Sequence, residues 1–386
     1  MSQQMVIIGA GLAGLSAACT AARQGWQVWL CSSLPSERAQ SVMAEGGINA
    51  ALDTQGQEDS PARHGADTLR AACGLADPNA VLAMTAAASA LVEELADLGV
   101  PFNRTADGQI DLRYFGGQKK KRTAFSQSDT GKQLMTALID AVRRYEAEGT
   151  VHRLNHHDFL TLLHDGPVCT GASLRDTWSG ESCDLPAQAV IIASGGLHGL
   201  FSCTTGSLAD TGAVTAELFR LGLPVANGEF IQYHPTTIAS NGKRMLVSEA
   251  ARGEGGRLWV KKQGRPWYFM EEKYPELGNL MPRDVTAREI WYHCQAGETV
   301  WLDLTGLEED IFFRKLSGLV ADCLLYGGVD IRCQPIAVAP GIHYFMGGLY
   351  VDEWHRTPWK HLYAAGECAC QYHGANRLGG NSLLGA

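Results

Sequence analysis

The sequence predicts an α/β protein whose parallel-sheet domain is split by an inserted α+β domain. Three observations carry this. The chain opens with an apolar run, Met5–Ile8, then Gly9-Ala-Gly-Leu-Ala-Gly14, an alanine-rich stretch to Gln24 and a second apolar run, Trp26–Cys31; this is a βαβ opening. The same short buried-strand pattern returns far away, at 188–193 and again at 361–365. Between them, from about 229 to 345, the texture changes to one rich in Trp, Tyr, Pro and Arg. The first domain is therefore read as 1–228 plus 346–386, and the insertion as 229–345.

Each element has a local reason. Met5–Ile8 is the length of a strand buried on both faces, and the alanines after Gly14 favour a helix. Residues 79–99 and 131–148 place apolar side chains at three-and-four spacing, which predicts two further helices. Gln188–Ala193 is a strand ended by Ser194-Gly-Gly196, and His361–Ala365 is one ended by Gly366-Glu367. The basic run Lys119–Arg122 reads as a solvated loop.

Composition narrows the function. The chain has 386 residues, too many for one core, and 45% are hydrophobic, which excludes disorder as the main state. A formal net charge of −9 argues against nucleic acid or an acidic membrane surface as partner. The eleven cysteines are scattered and odd in number, which reads as reduced thiols in a cytoplasmic protein. Cys368 and Cys370 read as small buried residues rather than metal ligands, and no CxxCxxC group is present for an iron–sulfur cluster. No export signal and no apolar stretch of membrane-spanning length is evident, so no membrane span is expected.

Gly9, Gly11 and Gly14 form GxGxxG between a strand and a helix, the context in which it binds a dinucleotide. Gly9 allows the turn, Gly11 lets backbone approach a pyrophosphate together with Ala10, and Gly14 lets helix and strand pack closely. The carboxylate expected about 20 residues on, for a ribose, is missing, and Ser32 and Ser33 stand there. Ser41-Val-Met-Ala44-Glu45-Gly46-Gly47 could bring backbone against a flat ring. Later segments supply two histidines and several arginines on Gly-rich stretches, an inventory that suits a dianion. They are Glu229–Thr236, Ser248–Gly256, Pro282-Arg283-Asp284, His343–Gly348 and His373–Leu383.

These segments, in order from residue 5 to the end, resemble the flavoprotein subunit of succinate dehydrogenase and fumarate reductase. The similarity is to the branch paired with a diheme membrane anchor, and the Trp-rich 259–281 segment matches that branch better than L-aspartate oxidase. The resemblance implies a Rossmann-like FAD-binding domain, an inserted capping domain, and fumarate or succinate held between cap and flavin. It implies that His234 and Ser248 hold one carboxylate and that His343 and Arg377 hold the other. Arg283 matches the proton-transferring arginine, with His234, Glu249 and Arg252 as the accompanying catalytic groups. For FAD it implies Gly9, Ala10, Gly11, Gly14, Ser32, Ser41, Ala44, Glu45, Gly46, Gly47, Ser194, Gly195, Glu367, Arg377, Ser382 and Leu383. It also implies an iron–sulfur partner subunit, a membrane anchor subunit, and a place in the cytoplasm or on the cytoplasmic face of the inner membrane.

Two departures stand out. Relatives carry a flavin-linking histidine where this chain has Gln40, so FAD is expected to be non-covalent. Relatives also continue into a C-terminal helical domain, which is expected to be absent here; an inactive remnant is one alternative reading, and a stand-alone L-aspartate oxidase-like enzyme is another.

Overall fold

The computed structural model describes residues 3–386. Its centre is a five-stranded parallel sheet. β1 (Gln4–Ile8) lies between β2 (Gln27–Ser32) and the strand Ala189–Ile192; Val151–Asn155 and Leu362–Ala364 form the two edges. The strands at 4–8, 27–32, 189–192 and 362–364 are the four expected from the apolar runs, to within two residues. Val151–Asn155 was not expected, because at the edge it buries only Val151 fully and so lacks a continuous apolar pattern.

One face of the sheet is covered by α1 (Leu12–Arg23) and the helices Pro78–Asp97 and Thr130–Ala147. The other face packs against an antiparallel meander, His157–Asp165, Val168–Asp176 and Ser182–Pro186. The Pro78–Asp97 helix is capped by Asp77, whose carboxylate accepts from the Asn79 and Ala80 N–H groups, with Pro78 in the first turn. By length and composition alone this helix could cross a membrane, which qualifies the reading that no such stretch exists. Met84, Ala88, Val92 and Leu95 on one of its faces instead belong to the core.

A second sheet of six strands is built wholly from 231–345. Ile231–Ser240 and Ile336–Phe345 run antiparallel at its middle, and a separate apolar core lies beneath. Their register slips twice. Gln232 faces Tyr344 and Tyr233 faces Ile342, so His343 is the extra residue of a bulge. Pro235 sits in the second irregularity, where a missing N–H is tolerated.

The basic run 119–122 is only in part a solvated loop. Arg122 is fully buried, with Nε and Nη2 on the two Asp59 oxygens at 2.9 Å each and Nη2 also 2.9 Å from Asp67. This ties Thr123–Ala124 to the start of the Pro61–Ala71 helix. Charge runs read as solvated because desolvation is costly, and a bidentate carboxylate offsets that cost. Arg122→Met, which leaves Asp59 buried and unpaired, is expected to cost about 3–5 kcal/mol. A denaturant midpoint unchanged from wild type would show that the pair contributes nothing net.

Candidate active site

Two groups of residues meet here, one along a cavity and one beneath the capping sheet. The cavity, about 570 Å³, begins at the β1–α1 turn and extends to the C-terminal loop. Gly9 has φ +111°, and a Cβ on Gly14 would collide with the Gly9 carbonyl, so the turn and the helix lock together as the motif requires. Gly11 caps α1 without a side-chain partner, leaving first-turn N–H groups toward the cavity; Leu12 N–H alone donates to Ser41 Oγ at 3.2 Å.

Of the residues expected to hold a cofactor, Gly9, Ala10, Gly11, Ser32, Ser41, Ala44, Ser194, Gly195, Glu367, Arg377, Ser382 and Leu383 line this cavity. Gly14, Glu45, Gly46 and Gly47 do not. A Cβ on Gly46 would meet Phe115, and one on Gly47 would meet Thr123 and Ala124. Glu45 turns toward the capping side; burial, with Asp322 and Asp129 nearby, pushes its carboxyl well above the usual range.

Other lining residues went unnoticed in the sequence. His198 places Nε2 3.3 Å from Glu367 Oε1 and Nδ1 2.9 Å from Thr204 Oγ1. Glu367 Oε1 also accepts from Phe345 N–H at 3.0 Å. Asp210 is partly buried, with one carboxylate oxygen unpartnered among the described residues. The available signal for His198 was its place in the Gly-rich turn after a buried strand; Asp210 gave none.

Beneath the capping sheet, Glu249 is the hub of a buried chain. Oε2 accepts from Arg283 Nε at 2.8 Å and lies 2.7 Å from Nη2; Oε1 accepts from Arg252 Nη2 at 3.1 Å and from Gly116 N–H at 3.0 Å. Arg252 Nη1 donates onward to the Asn279 carbonyl at 2.7 Å. Burial alone would raise the Glu249 carboxyl, but Arg283 and then Arg252 hold it at about 2. Gln232 joins the two groups: its Oε1 accepts from Arg283 Nη1 at 3.0 Å and from Arg377 Nε and Nη2 at 3.2 and 3.1 Å. Strand alternation from His234 was enough to find Gln232, since both lie on one face.

His234 and His343 face each other across the bulge, ring centroids 5.0 Å apart. Burial holds both well below the usual histidine range, with positive neighbours adding to it, so both rings are neutral. His234 Nδ1 lies by Thr236, and Nε2 is buried without a partner among the described residues. His343 Nδ1 pairs with Thr205 Oγ1 at 2.8 Å. Arg377 stacks 4.1 Å over the Tyr344 ring and bonds Ser382 Oγ through Nη1; burial, then Arg283, lowers it to about 9.

Residues 4–383 match the family model described as FAD binding domain. The succinate dehydrogenase flavoprotein subunit of Bacillus subtilis (strain 168) is 43% identical over 395 residues, covering all of this chain and 67% of the relative. The chain belongs to the succinate dehydrogenase and fumarate reductase flavoprotein family. L-aspartate oxidase of Mesorhizobium japonicum is 37% identical over 99% of the chain and 72% of the relative. A chain of Escherichia coli quinol fumarate reductase superposes over the whole chain and 68% of its own length, at TM-score 0.89 and 30% identity. The chain thus spans about two thirds of the length of such relatives. Its cofactor is FAD, and the cavity suits it: free N–H groups at a helix N-terminus for the pyrophosphate, serines where ribose is expected, and Glu367 and Arg377 at the far end.

Asp210 makes the cavity sensitive to pH. Burial and then Glu367 push its carboxyl up to about 7, against a smaller opposing pull from His198. An unfolded aspartate titrates near ~3.9, so the folded chain holds this proton more tightly. Without FAD, stability should therefore fall as pH rises between about 4 and 7. Asp210→Asn removes that loss: its melting temperature should match wild type at pH 4 and exceed it above pH 7. A difference independent of pH would reject this.

Proposed function

We propose that the protein interconverts fumarate and succinate, exchanging electrons with an iron–sulfur partner subunit held at a membrane anchor. One observation carries the substrate class. Arg252, Arg283 and Arg377 are all buried around a single ionised carboxylate, Glu249, since Glu367 is paired with His198. Buried charge without a counterion is costly, and a dianion between Arg283 and Arg377 would supply the two charges this arrangement lacks.

In this reading His234 and Ser248 receive one carboxylate of the substrate, and His343 and Arg377 the other. A carboxylate at His234 selects the tautomer with its proton on Nε2; Nδ1 then accepts from Thr236 N–H, 3.3 Å away. The two clamps hold the carbon–carbon bond in one orientation, which removes much of the entropic part of the barrier. Bound FAD supplies the hydride chemistry. Arg283 gives a proton to the carbon that does not take the hydride and regains one from solvent by way of its hydrogen-bonded neighbours Glu249 and Arg252. Glu249, held ionised, keeps Arg283 oriented between turnovers. Gln40 lies in the cavity wall, and its carboxamide is too weak a nucleophile to link the flavin, so FAD is held without a covalent bond.

L-aspartate oxidase activity is the second reading, favoured by the 37% identity and by Gln40. Fumarate reduction by a reduced viologen, succinate oxidation and L-aspartate oxidation, measured on one preparation, separate the two. Turnover of L-aspartate alone would select the second.

Arg283→Lys keeps the charge but not the fork. As proton donor, its replacement should lower kcat for fumarate roughly 10²–10⁴-fold with little change in KM. Retention of more than about a tenth of kcat would remove Arg283 from that role. Arg377→Lys should instead raise KM first, because a forked carboxylate contact is lost. Acid or heat should release all FAD into solution, and flavin fluorescence remaining on the denatured polypeptide would show a covalent link.

A further inference from the structure

Arg377 belongs to the segment Arg377-Leu-Gly-Gly-Asn-Ser382, and the middle of that segment has no side chains with which to hold itself. Gly380 has φ +87°, and a Cβ there would strike Asn49 Oδ1. A Cβ on Gly379 would meet Glu249 Oε2 and Arg283 Nη2. The turn is thus pressed against the relay on one side and against Asn49 on the other.

What holds it is a buried polar network from the first domain. Asn49 Nδ2 donates to the Gly379 carbonyl at 2.8 Å and to Asn381 Oδ1 at 2.7 Å, and Asn49 N–H donates to the Gly380 carbonyl at 3.3 Å. Thr123 Oγ1 donates to Asn49 Oδ1 at 2.6 Å, which fixes the orientation of that amide. Asn381 Nδ2 donates to Thr68 Oγ1 at 2.9 Å, while the Thr68 hydroxyl proton goes to the His64 carbonyl. Asn381 Oδ1 therefore faces inward, 2.9 Å from His64 Nε2.

The hydrogen-bond pattern settles the His64 tautomer. An oxygen accepts, so Nε2 carries the proton and Nδ1 is bare, and Nδ1 is buried with no partner among the described residues. Burial, with Arg122 nearby, holds the pKa at about 4, so the ring is neutral. A neutral imidazole kept at 0% exposure with an unsatisfied nitrogen is an expensive choice for packing alone.

We infer that His64 is a positioning residue: by donating from Nε2 to Asn381 it sets the Gly379–Gly380 turn, and so the place of Arg377 and Ser382 against both FAD and the dicarboxylate. The dicarboxylate half of this inference rests on the proposed function, whereas the FAD half rests only on the cavity and the family.

His64→Leu keeps bulk and removes the donor. His64→Gln keeps an N–H that can reach the same oxygen. Both variants, and wild type, are loaded with FAD and given two measurements: the FAD dissociation rate, and the fumarate dissociation constant read from the change in flavin absorption. His64→Leu should release FAD faster and bind fumarate roughly tenfold more weakly, as expected for a buried acceptor left unpaired. His64→Gln should stay within about threefold of wild type in both. Equal behaviour of Leu and wild type, or equal impairment of Leu and Gln, would overturn the inference, since shape rather than the hydrogen bond would then matter. If His64→Leu does not fold, Thr68→Val, nearly isosteric, unhooks Asn381 Nδ2 and should shift both readouts in the same direction; no shift overturns it. If wild type itself shows no fumarate perturbation, the proposed substrate is wrong, and the FAD dissociation rates alone decide the role of His64.

Discussion

Three guanidinium groups held out of water around one carboxylate are the constraint on which the site depends. Such an arrangement needs good hydrogen-bond partners for its donors, and most are engaged here, with Arg252 Nε left without one among the described residues. Glu249 takes Arg252 on one oxygen and Arg283 on the other, and the Gly116 N–H completes the first of these. Gln232 then lends a neutral oxygen to both Arg283 and Arg377, which keeps two like charges apart while serving both. The charge that is still uncompensated is what carries the proposal of a dianionic substrate.

The scaffold is arranged to make that cluster possible. Arg283 begins a helix in the capping domain, Glu249 and Arg252 lie in the short turn after a capping hairpin, and Arg377 comes from the last loop of the first domain. The bulge at His343 brings an extra side chain to the junction, where regular alternation would have aimed it elsewhere. Glycines 379 and 380 let the last loop approach the relay with nothing between. The cofactor cavity opens from the same junction, since His343, Tyr344 and Arg377 also line it. The proposed substrate site and the cofactor cavity therefore share residues.

The sequence alone determined the family, the cofactor class and four of the five strands of the parallel sheet. It could do so because these rest on local chemistry: a strand, a glycine turn and a helix in that order make a phosphate site wherever they occur, and apolar runs of strand length bury themselves. Only the tertiary structure decided which residues act together. Arg122 reads as part of a charged loop and is buried on Asp59, 63 positions away. Glu45, Gly46 and Gly47 read as one glycine turn, and only packing sets Gly46 on Phe115, Gly47 on Thr123 and Ala124, and Glu45 toward the capping side. His64 carries no motif, and nothing within the segments that hold Asn49 and Asn381 singles these two out, yet their amides and ring close on one another across more than 300 residues of chain. Each of these outcomes depends on desolvation and on the direction of a hydrogen bond, and neither exists until segments distant in sequence are packed face to face.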